Sequence, residues 1–476
     1  MFETLLTVLA HWIVQLLVVL RVMLRPQREP ASRVAWVAVI ALVPVAGVLF
    51  YLLFGEVSPG RRRLKKLLRA AREMPPYPGG EGVDAVPELW EPLFRAGRNL
   101  SGFPVQTGNR ITMPADSNAM VDALVADIDG AGAHVHLLFY IWLPDRNGTR
   151  VAEALRRAAR RGVTCRVMAD ALGSRLLLRS PLWRAMREDG VHTAVAFPVK
   201  HLLLQLFTGR VDMRNHRKIA VIDGSLTYCG SQNCADPEFT IKAKYAPWVD
   251  AVLRIEGPAA RQNLHLFARD WMSTTGESLN ALLTEPVPVS AEPGGSAVQV
   301  VASGPTYPAH AMPGVFVLLL YGARREVVIT TPYYVPDESL QQALCACARR
   351  GVETTLILPA RNDSRMVAAA SRSYYADLLE AGVRLYEFTG GLLHAKTFVV
   401  DGIVTLFGSA NMDRRSFDLN QENNVLIHDG AAAALVRARQ EEYRRQSVEV
   451  PAAEVIAWPL RRKLWNNTMA MLGPLI

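Results

Sequence analysis

The chain has 476 residues, half of them hydrophobic, and its 53 Lys and Arg outnumber 44 Asp and Glu to give a net charge of +9. A mean hydropathy of +0.11 and a pI near 9.4 exclude a disordered tail protein; they point to a membrane-associated chain with an anionic partner, lipid headgroups or nucleic acid. Five cysteines (Cys165, Cys229, Cys234, Cys345 and Cys347) form no C-x-x-C pair, which favours a reduced compartment over a disulfide scaffold or a structural zinc site.

In chain order, the 17-residue apolar run 4–20 contains His11 and Gln15 and reads as a span, an interfacial segment or a signal segment. Glu3 and the lack of an Ala-x-Ala site argue against a cleaved signal peptide, so a membrane helix is expected. Residues 34–54 are 21 residues without a charge, about 30 Å of helix and the stronger span. A membrane helix tolerates Pro44 and Gly47, and Trp36 and Tyr51 read as interfacial belt residues. Residues 1–56 are therefore expected to form a transmembrane helical hairpin. Arg61, Arg62, Arg63, Lys65, Lys66, Arg69 and Arg72 follow it more densely than Arg21, Arg25, Arg28 and Arg33 fill the intervening loop. The positive-inside rule then keeps the N-terminus and the rest of the chain in the cytoplasm. Segment 57–104 reads as a basic juxtamembrane helix facing water or anionic lipid, followed by a linker that starts at Pro75, Pro76, Pro78, Gly79 and Gly80.

The remainder is a duplication. LLFYIWLPD (137–145) resembles ITTPYYVPD (329–337), each is followed by a helical pattern ending in Arg-Arg-Gly-Val, and TCRVMAD (164–170) and ETTLILP (353–359) follow as β-like runs. NHRKIAVIDGSLTYCGSQN (215–233) then matches LHAKTFVVDGIVTLFGSAN (393–411) without a gap. Strand, helix, strand in each copy predicts two similar α/β halves, 105–284 and 297–476, packed as pseudo-twofold partners across a linker at 285–296.

The matched runs carry chemistry. His216-x-Lys218-x4-Asp223 recurs as His394-x-Lys396-x4-Asp401, and Gly-Ser-x-Asn follows in both copies, with Ser231, Asn233, Ser409 and Asn411. Joining the halves assembles two imidazoles and two ammonium groups, a set suited to a phosphodiester. One neutral imidazole attacks phosphorus, the other donates a proton to the leaving oxygen, and Lys218, Lys396, Asn233 and Asn411 hold the nonbridging oxygens, with Ser231 and Ser409 in the same substrate-binding group. This set calls for no metal or cofactor. Asp250 and Glu422 open matching apolar strands and are candidates for orienting the imidazoles. His134, His136, His192, His201, His265, His310 and His428 lack the duplicated setting and read as structural or surface residues.

At these residues the chain resembles the phospholipase D superfamily, whose signature is the duplicated His-x-Lys-x4-Asp motif. More narrowly, RPQREPASRVAWVAVIALVPVAGVLFYLLFG, FYIW, RNHRKIAVID, GSQNCADPEF, KYAPWVD and GSANMDRRSFDLNQE are similar to blocks of the bacterial cardiolipin synthases. The resemblance implies transfer of a phosphatidyl group from one phosphatidylglycerol to another, giving cardiolipin and glycerol through a phosphohistidine. It carries His216, Lys218, Asp223, His394, Lys396 and Asp401 over as catalytic residues, and by analogy favours His216 as nucleophile and His394 as acid, although the copies are too alike to decide. A hydrolase of the same superfamily shares all six residues and differs in its acceptor. A nuclease leaves the membrane segments unexplained, so no nucleic-acid partner is expected; a noncatalytic scaffold predicts erosion of a motif, and both are intact. HLLLQLF (201–207) reads as an acyl-chain contact or a core strand, and the basic aromatic segment 458–465 as a capping helix or an interfacial one.

Overall fold

The computed structural model describes residues 2–25, 30–55, 60–78, 82–198, 210, 212–286, 291–308 and 311–472. The 201–207 run, residues 287–290 of the linker, and Gly79 and Gly80 lie outside them.

The N-terminal region reverses the expected weighting of the two apolar runs. Helix α1, Phe2–Leu24, is continuous, and within it Thr4–Leu24 is the one described helix long and apolar enough to cross a membrane. The 34–54 run is instead divided between α2, Pro30–Leu42, and α3, Pro44–Phe54. The break has a local cause. Pro44 has no N–H to give the carbonyl of Ile40 and disfavours a helical residue before it, and Val43 sits at φ −131°, ψ 73°. Gln15 of α1 donates its side-chain amide to that Ile40 carbonyl at 2.9 Å, so the polar residue that weakened the first run satisfies the group orphaned in the second. Trp36 and Tyr51 are not belt residues; both are buried and pack edge to face at 5.4 Å across the break.

Helix α4, Arg61–Glu73, buries Leu67 and Ala70 as it packs on helix Ala259–Thr275. Its Arg63 guanidinium lies 4.6 Å from the Phe197 ring.

The body is a duplicated α/β layer structure. The first repeat supplies β1 Gln106–Thr112, β2 His134–Phe139, β3 Thr164–Asp170, β4 His192–Ala196, β5 Ile219–Ile222, β6 Leu226–Gly230, β7 Trp248–Val249 and β8 Val252–Glu256. The second supplies β9 Ser296–Ser303, β10 Glu326–Thr330, β11 Tyr334–Val335, β12 Glu353–Pro359, β13 Arg384–Phe388, β14 Leu392–Leu393, β15 Thr397–Val400, β16 Val404–Gly408, β17 Met412–Asp413, β18 Glu422–His428 and an edge strand, β19 Ser447–Glu449. The main sheet runs outward from its centre as β1-β8-β6-β5-β2-β3-β4 on one side and β9-β18-β16-β15-β10-β12-β13-β19 on the other. Pairing directions match step for step, and the antiparallel contact of β1 with β9 joins the copies. The repeated Leu-Pro-Asp and Val-Pro-Asp end in helix caps: Asp145 accepts from the N–H of Gly148 and Asp337 from that of Leu340, each at 2.9 Å. Helices Ala259–Thr275 and Gly430–Arg445 cover one face of both halves with a single continuous core that includes Phe267, Trp271, Val300, Phe388 and Val436. Each half has its own core on the opposite face.

That shared core holds neutral histidines. His136 is fully buried, stacks between His134 and Phe267, and has no hydrogen-bond partner on either ring nitrogen among the described residues. Burial holds its pKa well below 6.5 and brings that of His265 down to about 4. Unfolding restores an ordinary pKa near 6.5, so below that value the unfolded chain takes up protons that the folded chain refuses. Stability should be full above pH 6.5 and fall steadily toward pH 4; a thermal midpoint unchanged across that window would contradict this.

Candidate active site

Each His-x-Lys stands in an extended segment just before the strand it feeds, β5 or β15, and each carries a DG turn at the strand's far end. Asp223 and Gly224 (φ 51° and 66°) and Asp401 and Gly402 (φ 52° and 67°) form left-handed hairpin turns. Neither aspartate stands beside His216 or His394; the structure places both in the turns, away from the paired imidazoles. Asp223 accepts from the N–H groups of Gly132, Ala133 and His134, all at 2.8 Å. Asp401 accepts from those of Arg324, Arg325 and Glu326 at 2.7–2.9 Å. The intervening strand puts them at the opposite end from the histidines, where they anchor the starts of β2 and β10. Asp223→Ala should therefore cost about 2 kcal/mol of stability through lost charge-assisted hydrogen bonds while folded protein keeps its turnover per molecule; loss of turnover at unchanged stability would reverse this assignment.

At the other end the two halves exchange partners. The N–H of His216 donates to Gln421 O at 2.9 Å, and that of His394 to Val249 O at 2.8 Å. These crossings seat the carboxylate of the next residue under the histidine of the other half. His216 Nδ1 lies 2.8 and 3.0 Å from the Glu422 carboxylate oxygens, and His394 Nδ1 lies 2.6 Å from Asp250 Oδ1. Ser231 and Ser409 were expected to touch substrate. Both are fully buried and instead donate to Asp250 and Glu422, each at 2.6 Å, so they hold the carboxylates that orient the imidazoles.

The lysines differ. Lys218 Nζ donates to His216 O at 2.7 Å and lies 5.6 Å from the Tyr140 ring centroid. Lys396 Nζ donates to His394 O at 2.6 Å and also lies 2.9 Å from His394 Nε2. Asn233 and Asn411 are both buried. Asn233 Oδ1 accepts from the Ile141 N–H at 3.1 Å, while Asn411 Oδ1 has no hydrogen-bond partner among the described residues.

Burial dominates the electrostatics. It lowers the His216 pKa to about 4 against the opposing pull of Glu422, and it lowers that of His394, helped by Lys396. Burial likewise brings Lys218 down to about 8 and Lys396 to about 7. For the carboxylates burial pushes the other way, but His394 holds Asp250 below the usual range and His216 holds Glu422 below it. Burial thus favours the neutral form of each imidazole, while its paired carboxylate favours the charged form. Lys396 depresses His216 and Lys218 depresses His394 across the interface, as groups sharing one site must.

Several residues of the site had no signal in the duplicated motif. Tyr140 packs 5.0 Å from the His216 ring and Trp248 4.8 Å from that of His394. Tyr333 donates to Asp363 at 2.6 Å on the His394 side. Asp170, whose pKa burial pushes up to about 6, accepts from the N–H of Asn215 at 3.2 Å, next to His216. The repeated FYIW and TPYYVP blocks were the available clue to Tyr140 and Tyr333.

Comparison with known proteins agrees with this geometry. A family model described as "Cardiolipin synthase, PLD-like domain" matches residues 124–271 and again 317–443, and one described as "Phospholipase_D-nuclease N-terminal" matches 12–56. The chain is 36% identical over 482 residues to Cardiolipin synthase A of Edwardsiella ictaluri (strain 93-146), covering 99% of this chain and 98% of that protein. It is equally similar, at 36% over the same shares, to Cardiolipin synthase A of Serratia proteamaculans (strain 568). The crystal structure of phosphatidylserine synthase from Haemophilus influenzae Rd KW20 shares the fold, with a TM-score of 0.60 at 15% identity over 81% of this chain and 100% of that one.

Proposed function

The chain belongs to the cardiolipin synthase family of phospholipase D-like proteins, and from that membership we propose that it is a phosphatidyltransferase that joins two phosphatidylglycerol molecules into cardiolipin and releases glycerol. The crossed pairs, His216 with Glu422 and His394 with Asp250, are the observation that carries this reading. A neutral imidazole that donates Nδ1–H to a carboxylate has its Nε2 lone pair available. On His216 that lone pair attacks phosphorus, the P–O bond to the glycerol headgroup breaks, and a phosphatidyl–Nε2 bond forms. The departing alkoxide needs a proton. The bound phosphodiester anion offsets part of the burial that keeps His394 neutral, so the imidazole takes up a proton from solvent at Nε2 as substrate binds and gives that proton to the alkoxide. The terminal hydroxyl of a second phosphatidylglycerol then gives its proton back to His394 and attacks phosphorus, and the P–N bond breaks to restore His216. Lys218, Lys396, Asn233 and Asn411 surround the nonbridging oxygens, where negative charge accumulates.

Both substrates are anionic lipids of one bilayer, and tethering raises their effective concentration at the site. In this reading α1 and the kinked α2–α3 pair form a two-pass hairpin over residues 1–56, followed by the basic segment 57–104 and the halves 105–284 and 297–476. The basic flank at 61–72 favours a cytoplasmic catalytic body at the bacterial inner membrane, acting on lipid and not on nucleic acid. Incubating detergent-solubilised protein with headgroup-labelled phosphatidylglycerol tests the reaction: cardiolipin with released glycerol is expected, whereas phosphatidic acid would make the enzyme a hydrolase.

A further inference from the structure

Helix Leu460–Met471 exposes the residues a water-facing helix would hide. Its inward side buries Asn466 and Met469, the latter against Val335, Ala369 and Ala370. Leu460, Leu464 and Met471 point away from the body at 81%, 65% and 81% exposure. At about 100° per residue these three fall within about 40° of one another, forming an apolar ridge edged by the exposed Asn467. Arg461 and Lys463 flank it on opposite sides, and Trp465 stands half exposed beyond Arg461. An apolar ridge bordered by bases and a tryptophan has the composition of a helix lying at a lipid surface.

The position of the helix in the fold agrees. It packs on helix Arg365–Ser373, which contacts β11, and β11 pairs with β17. The residues after β17 include Arg415, which donates to Asp212 O at 2.9 Å. Asp212 is held by Arg210, whose other nitrogen donates at 2.8 Å to the Phe54 carbonyl at the end of α3. A continuous run of contacts thus joins this helix to the point where the membrane segment meets the body.

We propose that Leu460–Met471 lies in the interface of an anionic phospholipid bilayer, with Leu460, Leu464 and Met471 among the acyl chains and Arg461 and Lys463 at the headgroups. It is a second membrane contact, distinct from α1–α3 and independent of the phosphoryl chemistry. Tethering through α1–α3 alone leaves the body free to swivel; a second contact fixes its tilt. A lipid surface suits the ridge better than a second copy of the chain, because pairing two such ridges brings the flanking bases together.

All five native cysteines are buried, so a cysteine introduced on the surface can be labelled selectively. The test places an environment-sensitive fluorophore on Leu464→Cys in the full chain, reconstituted into vesicles of phosphatidylglycerol and phosphatidylethanolamine that contain spin-labelled lipid. Arg324→Cys, exposed beside the Asp401 turn at the opposite end of the strands from the histidines, is the control. Blue-shifted emission and several-fold stronger quenching at 464 than at 324 are expected, with weaker quenching when Arg461→Glu and Lys463→Glu are added. Equal emission and quenching at the two positions would overturn the proposal. So would energy transfer between labels at 464 without lipid quenching, which would make the ridge a contact between copies.

Discussion

Replacing His216 with alanine in the full-length enzyme is expected to lower phosphatidyl transfer by a factor on the order of 10⁴ or more, because it removes the atom that forms the covalent intermediate. Glu422 holds the His216 ring at Nδ1, whereas His394 Nε2 lies 2.9 Å from Lys396. In the proposed mechanism this difference gives the nearly identical motifs two roles. His394→Ala should cost about 10²–10⁴ in rate with phosphatidylglycerol. Most of that loss should disappear from the first-turnover burst of nitrophenolate released by a nitrophenyl phosphodiester, since such a group departs without a proton, while the later transfer to the acceptor stays slow. His216→Ala gains nothing from the same substrate. Rescue of His216→Ala, and not of His394→Ala, would exchange the two roles.

The second large effect is on stability. Arg217, between His216 and Lys218, is almost fully buried; it donates to both oxygens of Asp270 at 2.6 Å, to Glu422 O at 3.1 Å and to Ser303 O at 3.3 Å. Asn215 also donates to Asp270, at 2.8 Å. Asp270→Ala leaves a buried guanidinium without its counter-charge, at a cost of about 3–5 kcal/mol. Denaturant titration of the solubilised protein should show this as a large drop in midpoint. An unchanged midpoint would mean that Arg217 finds water or another carboxylate. The second repeat has Ala395 at the matching position, so this brace belongs to the first motif alone.

The duplicated architecture was legible because a repeat is visible without knowing what either copy does. That the histidines, lysines and two carboxylates come together was legible because they repeat as well. Which carboxylate serves which histidine was not. Asp250 lies 34 residues after His216 in the same repeat yet orients His394, an exchange created only when Gln421 and Val249 pair with the opposite halves. The serines were misread for a related reason. Gly-Ser-x-Asn looks like a donor set for a phosphate, but Ser231 and Ser409 face inward, where a buried carboxylate needs a donor more than the substrate does. The motif aspartates follow a strand that carries them away from the site, a separation that sequence spacing alone conceals. In the anchor, hydropathy averaged over 34–54 hid what one proline does to a helix and what Gln15 does in response.

The proposed mechanism carries the phosphatidyl group on His216. Rapid acid-free quenching of enzyme turning over phosphatidylglycerol, followed by mass spectrometry of the peptides bearing the two motifs, tests it most directly. A phosphatidyl or phosphoryl adduct on the His216 peptide, absent from His216→Ala, is the predicted result. An adduct on the His394 peptide, or turnover with no adduct on either histidine, would contradict it.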